Sequence, residues 1–260
     1  MIRYISSVFL FFFNIAYCLS AQEMGRAYPY QYNFQKAASS IMEGIINMHN
    51  MLLVIIAIVA VLVTGLLVYV IYKFRASKNP VPSKTTHNII LEVIWTLFPI
   101  ICVIVIMIPS VRLMKEVDKP QNPDMTIKVI GKQWYWSYEY PLEKNKKIAF
   151  DSHLIEDKDL KPKQLRLLEV DEPIVVPIDA TVQLLVTAGD VIHSFAVPSL
   201  GIKKDAVPGR INETWFRISK KGTYYGQCSE LCGIKHGYMP IAIKAVDKAE
   251  YNEWLLKKQS

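Results

Sequence analysis

Residues 51–72 read MLLVIIAIVAVLVTGLLVYVIY, a run of 22 residues without a single charge. As a helix it is roughly 33 Å long, enough to cross the apolar core of a bilayer. A second uncharged run of 19 residues, VIWTLFPIICVIVIMIPSV, covers 93–111. Pro99 and Pro109 kink such a helix, which membrane helices tolerate when neighbours satisfy the freed backbone groups. The two runs predict a transmembrane helical hairpin over 51–112, with spans at about 51–72 and 90–111. Cys102 inside the second run reads as a small buried apolar residue.

The connecting loop sets the orientation. Residues 73–88 carry Lys73, Arg75, Lys78 and Lys84 and no acid, whereas residues 22–50 balance two acids with two bases. The positive-inside rule places this loop in the cytoplasm, so residues 22–50 and everything after 112 face outward. The first 21 residues, MIRYISSVFLFFFNIAYCLSA, have an early Arg3, a short apolar centre and small residues at Ser20 and Ala21. That layout predicts a secretory signal peptide, with Cys18 lost on cleavage.

After residue 112 the composition becomes that of an ordinary soluble domain. The chain's formal charge is +7, but residues 120–260 hold 20 Lys/Arg against 18 Asp/Glu, a net of +2. Much of the excess sits in the cytoplasmic loop, so topology explains it and a nucleic-acid partner is not indicated. TIKVIGKQWYWSYEY (126–140) alternates apolar and polar residues, and short β-branched runs follow at 173–178, 181–187, 214–219 and 239–246. Turns at Gly201, Gly209 and Gly222 separate such segments, which predicts a β-sandwich with a helical tail at 248–258.

Near the end of this domain lies CSELCGIKHGYM, 228–239. It places Cys228, Cys232, His236 and Met239 within twelve residues of a chain that has four cysteines in all. Thiolate, imidazole and thioether suit soft or borderline metals. In an oxidising compartment a Cys228–Cys232 disulfide is the first rival, and a zinc site with His193 as a further ligand is the second. Met239 favours copper, because zinc seldom takes a thioether and copper sandwiches often use a weak Met ligand. His193 stands 35 residues upstream of Cys228, just after a predicted strand. A mononuclear copper site needs only one Cys, so the second thiol is surplus unless a second metal is present.

The sequence resembles subunit II of bacterial cytochrome c oxidase, a member of the haem-copper oxidase family. The likeness runs from about residue 22 to 250 and rests on LEVIWT (91–96), GKQWYWSYEY (131–140), DVIHSFAVPSLGIKKDAVPGR (190–210) and CSELCGIKHGYM (228–239). It implies a cupredoxin-like sandwich over 120–260 in the periplasm, held by the hairpin in the cell inner membrane. It implies a binuclear copper A centre, with Cys228 and Cys232 bridging two coppers and His193 and His236 binding one each. Met239 and the backbone carbonyl of Glu230 are then weak axial ligands, and the Glu230 side chain reaches magnesium at the boundary with subunit I. By the same likeness Trp134 receives the electron from cytochrome c, while Glu139 and Asp190 face the docked cytochrome. Glu92 lies at the cytoplasmic mouth of a proton pathway. Partners are then subunit I and other oxidase subunits, cytochrome c and the lipid bilayer.

Other readings differ in what they need. A quinol-oxidase form of the same subunit keeps the fold without the copper ligands, all of which are present here. A membrane-anchored copper chaperone or store needs exchangeable metal and no role for Trp134 or Glu92. A zinc- or disulfide-stapled domain leaves Met239 incidental. His49, His87 and His153 match no ligand spacing.

Overall fold

A computed structural model of the protein describes residues 25–81, 83–118, 122–142 and 146–259. The expected signal peptide, residues 1–21, lies outside the described residues. Two long helices come first, α1 (Ser40–Lys73) and α2 (Ile89–Asp118). Both are long and apolar enough to cross a membrane, and the most apolar stretch of each is unburied along its whole length.

Helix α1 starts eleven residues before the uncharged run at 51, inside the segment read as lying ahead of the hairpin. A local signal accounts for this. Ser39 Oγ accepts the backbone N–H of Met42 at 3.1 Å, an N-cap that satisfies one orphan donor of the first turn. The same hydroxyl donates to the Leu200 carbonyl at 2.6 Å, so the cap is tied to the sandwich domain. At the start of α2, Asn88 Oδ1 accepts from the N–H groups of Ile90 and Leu91. The residues fall into two compact units, 44–115 and the remainder. Within the first, Gly44 lies so near Leu113 that an added Cβ would come within 2.8 Å of its side chain.

Among the described residues the second unit has ten strands: β1 (Met125–Lys132), β2 (Tyr135–Pro141), β3 (Lys147–Ser152), β4 (Ile174–Pro177), β5 (Thr181–Ala188), β6 (His193–Val197), β7 (Ile202–Ala206), β8 (Asn212–Arg217), β9 (Gly222–Cys228) and β10 (Pro240–Val246). A final helix, α3, spans Lys248–Gln259. One five-stranded sheet runs β3-β2-β1-β5-β8 and the other β4-β10-β9-β6-β7. Pairing is antiparallel except for β1 with β5 and β4 with β10.

Strict alternation of buried and half-buried residues in β5 makes one face of its sheet the core face. Ile127, Val129, Trp136, Leu184, Val186 and Phe216 meet Ile174, Phe195, Val197, Ile241 and Ile243 between the sheets, all fully enclosed. Each such side chain contributes about 1.5–3 kcal/mol of burial free energy, which holds the frame rigid.

The stretch 126–140 forms two strands, with a reversal at Gln133–Trp134. Trp136 points into the core and is fully buried, while Trp134 stays at the turn, half-buried. The two tryptophans therefore do not share a face, as a continuous strand would require. This turn lies at the same end of the sandwich as the start of β6 and the end of β9.

Candidate metal centre

The pairing of β6 with β9 brings the two halves of the site together. Phe195 pairs with Cys228, which sets His193 at the first residue of β6 beside the last residue of β9. The chain then loops through 229–239 and returns as β10, whose Pro240 pairs with Gln227. A single 3-10 turn, His236–Tyr238, lies within this loop. Backbone bonds pin it: Ser229 N–H donates to the Ser194 carbonyl at 2.9 Å and His236 N–H to the Gly233 carbonyl at 3.1 Å. From the core side, Trp136 Nε1–H donates to the Met239 carbonyl at 3.2 Å.

Six donor atoms converge within this frame. Cys228 Sγ lies 3.9 Å from Cys232 Sγ, 3.9 Å from His193 Nδ1 and 3.4 Å from the carbonyl oxygen of Glu230. Cys232 Sγ lies 3.5 Å from His236 Nδ1 and 3.5 Å from Met239 Sδ. Both thiols are free, so the disulfide alternative is not the arrangement found. His193, Cys228, Cys232 and Met239 are buried, and His236 is half-buried. The sulfur–sulfur separation fits two thiolates sharing a metal at bond lengths of about 2.3 Å each. A thioether among the donors and the absence of a carboxylate from the cluster make it a soft site.

The imidazole of His193 is oriented from both sides. Its Nε2 lies 2.9 Å from Asp190 Oδ1, which directs Nδ1, the other ring nitrogen, toward Cys228. Asp190 is itself fixed, accepting the N–H of Gln133 at 2.7 Å and that of Val191 at 2.6 Å. Gly131 makes room for the ring, since a Cβ there would stand 2.9 Å from it.

Burial opposes charge on His193, but the Cys228 sulfur and Asp190 carboxylate outweigh it and raise its pKa. Burial likewise resists ionisation of Cys228, yet the His193 and backbone contacts prevail and bring that thiol down to about 7. Burial pushes Cys232 up, and a thiolate at Cys228 pushes it further. Without a cation the pocket therefore favours one thiolate, and a bound cation compensates two.

The other sequence-selected residues sit apart from this cluster or at its edge. Trp134 touches it, its Nε1–H donating to the Cys232 carbonyl at 3.2 Å. The Glu230 side chain is exposed on the loop surface. Asp190 lies against a metal-ligand candidate, and Glu139 is held by Lys128 and Lys147 on the outer face of its sheet. That pairing with Lys147 and Lys128 outweighs burial and keeps the Glu139 carboxyl below its ordinary pKa. Both carboxylates thus have partners within the chain. Glu92 stands in the first turn of α2. Gln133 and Gly131 escaped the sequence reading, because neither residue type by itself marks a metal site.

A sequence model for the periplasmic domain of cytochrome c oxidase subunit II matches residues 125–246, and one for the transmembrane domain of that subunit matches 27–113. A probable cytochrome c oxidase subunit 2 of Rickettsia felis is 56% identical over 230 residues, covering 88% of this chain and 72% of the relative. Its counterpart in Rickettsia bellii is 53% identical, covering 94% of this chain and 88% of the relative. Among solved structures, the periplasmic domain of subunit II of cytochrome oxidase from Bradyrhizobium japonicum is 51% identical, covers 54% of this chain and 96% of that one, and superposes with a TM-score of 0.49.

Proposed function

The chain belongs to the cytochrome c oxidase subunit II family, and on that premise we propose that it is the subunit through which electrons from cytochrome c enter the oxidase, by way of a binuclear copper A centre. The convergence of six soft and carbonyl donors, each within 4 Å of a thiol, carries this reading. Cys228, Cys232, His193 and His236 would hold the copper, the two rings through Nδ1, with Met239 Sδ and the Glu230 carbonyl as further, weaker donors. When bound, such a centre would supply one-electron redox chemistry on the route to the haems of subunit I, where oxygen is reduced with coupled proton pumping.

The chain's own residues supply rigidity and a route. The sandwich core and the loop's backbone bonds hold the donors in place, so little reorganises as charge changes. Trp134, in contact with Cys232 through one hydrogen bond, is the residue we assign to electron arrival. Leu231 and Ile234 project from the same loop, 79% and 88% exposed, an apolar tip suited to a protein partner such as subunit I. The exposed Glu230 carboxylate beside them offers a hard oxygen donor for magnesium at that boundary.

The helical pair is a membrane anchor by family and composition. We propose an inner-membrane location with the sandwich in the periplasm and the basic loop in the cytoplasm. Glu92 would then lie near the cytoplasmic side, where a proton pathway into subunit I opens.

The deciding experiment is copper analysis of the full chain in the purified oxidase, together with its electron paramagnetic resonance spectrum. Two coppers per chain sharing one unpaired electron are expected. One copper, zinc or an exchangeable store of metal would refute the reading.

A further inference from the structure

One dipeptide, Gln133-Trp134, reaches both halves of the donor set, one directly and the other through Asp190. The backbone N–H of Gln133 donates to Asp190 Oδ2 at 2.7 Å, and Asp190 Oδ1 meets His193 Nε2 at 2.9 Å. The side-chain amide of the same residue donates to the Cys232 carbonyl at 2.8 Å, and Trp134 Nε1–H shares that acceptor at 3.2 Å. A carbonyl with two lone pairs accommodates both donors.

The next residue shows how closely this contact is built. Gly233 has φ +119°, and a Cβ on it would lie 3.1 Å from both Gln133 Nε2 and the Trp134 ring. Absence of a side chain there lets the turn between β1 and β2 close over the loop.

We propose that Gln133 is a positioning residue for the metal centre, holding the Cys232 loop through its side-chain amide and the His193 ring through its backbone N–H and Asp190. The proposal rests on the metal-centre reading above. It differs from the role of Trp134, because Gln133 carries no electron and has no aromatic ring. Its two bonds join a ligand from β6 and a ligand from the 229–239 loop to a third element, the β1–β2 turn. Neither β6 nor the loop then moves independently of the other.

The test uses Gln133→Met in the full chain, purified in detergent. Met keeps the length of the side chain, removes its N–H donors and leaves the backbone N–H to Asp190. Cys232 is buried, so in protein stripped of metal and reduced its modification by a small neutral thiol reagent reports opening of the loop. Loss of one net hydrogen bond predicts modification about fivefold to tenfold faster than in the unsubstituted chain. A rate within about twofold of the unsubstituted chain overturns the proposal.

A second readout separates positioning from general stability. At equal copper content, the substituted chain is expected to show an altered copper hyperfine pattern. A lowered thermal midpoint with an unchanged pattern would also overturn the proposal. Failure of the unsubstituted chain to take up copper would instead refute the metal-centre reading, and the thiol measurement would still decide whether Gln133 clamps the loop.

Discussion

Asp190 Oδ1 stands 2.9 Å from His193 Nε2, so the ring nitrogen that faces away from the thiols is held by a carboxylate. The sequence suggested Asp190 as a docking charge. Its contacts fit a further task, because a carboxylate behind an imidazole fixes the ring's tautomer and direction when that ring ligates a metal. Replacing it by Ala is expected to weaken copper binding by about 10–100-fold, and replacing it by Asn, which keeps an acceptor oxygen, by less. Competition with a copper chelator checks both. Equal affinity in all three chains would remove Asp190 from the centre.

Cys228→Ser and Cys232→Ser each remove one of the two sulfurs proposed to hold the copper. Copper per chain is expected to fall, and the spectrum of an electron shared between two metals should vanish in both variants. Met239→Leu is a different case: it nearly conserves volume, so the core survives, while loss of the thioether moves the reduction potential. Metal analysis with potentiometry distinguishes the two outcomes.

Trp134→Phe keeps an aromatic ring and deletes the N–H that reaches the Cys232 carbonyl. Gln133 still holds that carbonyl through the shorter of the two bonds, 2.8 Å against 3.2 Å. The copper spectrum should therefore change little, while reduction by cytochrome c slows by an order of magnitude. Stopped-flow reduction at fixed ionic strength measures it, and an unchanged rate would place electron arrival elsewhere.

Gly131→Ala sets a methyl group 2.9 Å from the buried His193 ring. Gly131 pairs with both Trp136 and Ala188, so its backbone has little freedom to retreat. Overpacking of this kind costs about 1–3 kcal/mol. A lower thermal midpoint and a displaced metal spectrum are expected together.

Alkaline pH should destabilise the sandwich through its buried and half-buried phenols. Burial raises the pKa of Tyr138, Tyr140 and Tyr225, and at Tyr225 the Glu169 carboxylate adds to it. In the unfolded chain these phenols ionise near pH 10. Their contribution is thus fully present below about pH 10 and is lost as pH rises toward the higher folded values. Phenolate absorbance from these rings should emerge together with loss of β-sheet circular dichroism. Ionisation of all phenols with the sheet intact would contradict this.

The amino-acid sequence determined what is local or periodic. Two uncharged runs long enough to span a bilayer, basic residues between them, and β-branched alternation after residue 122 needed no tertiary information to read. The candidate donor types were also legible, because Cys228, Cys232, His236 and Met239 lie in one short loop. Only the folded chain decided how His193 joins them, through the pairing of β6 with β9 across 35 residues of sequence. Only the fold set a reversal at Gln133–Trp134, burying Trp136 in β2 and leaving Trp134 against Cys232. It also drew Asp190 under an imidazole and Gln133 onto a carbonyl 99 residues away. Hydrogen bonds of this kind depend on where strands end in space, and neither composition nor periodicity encodes that position residue by residue.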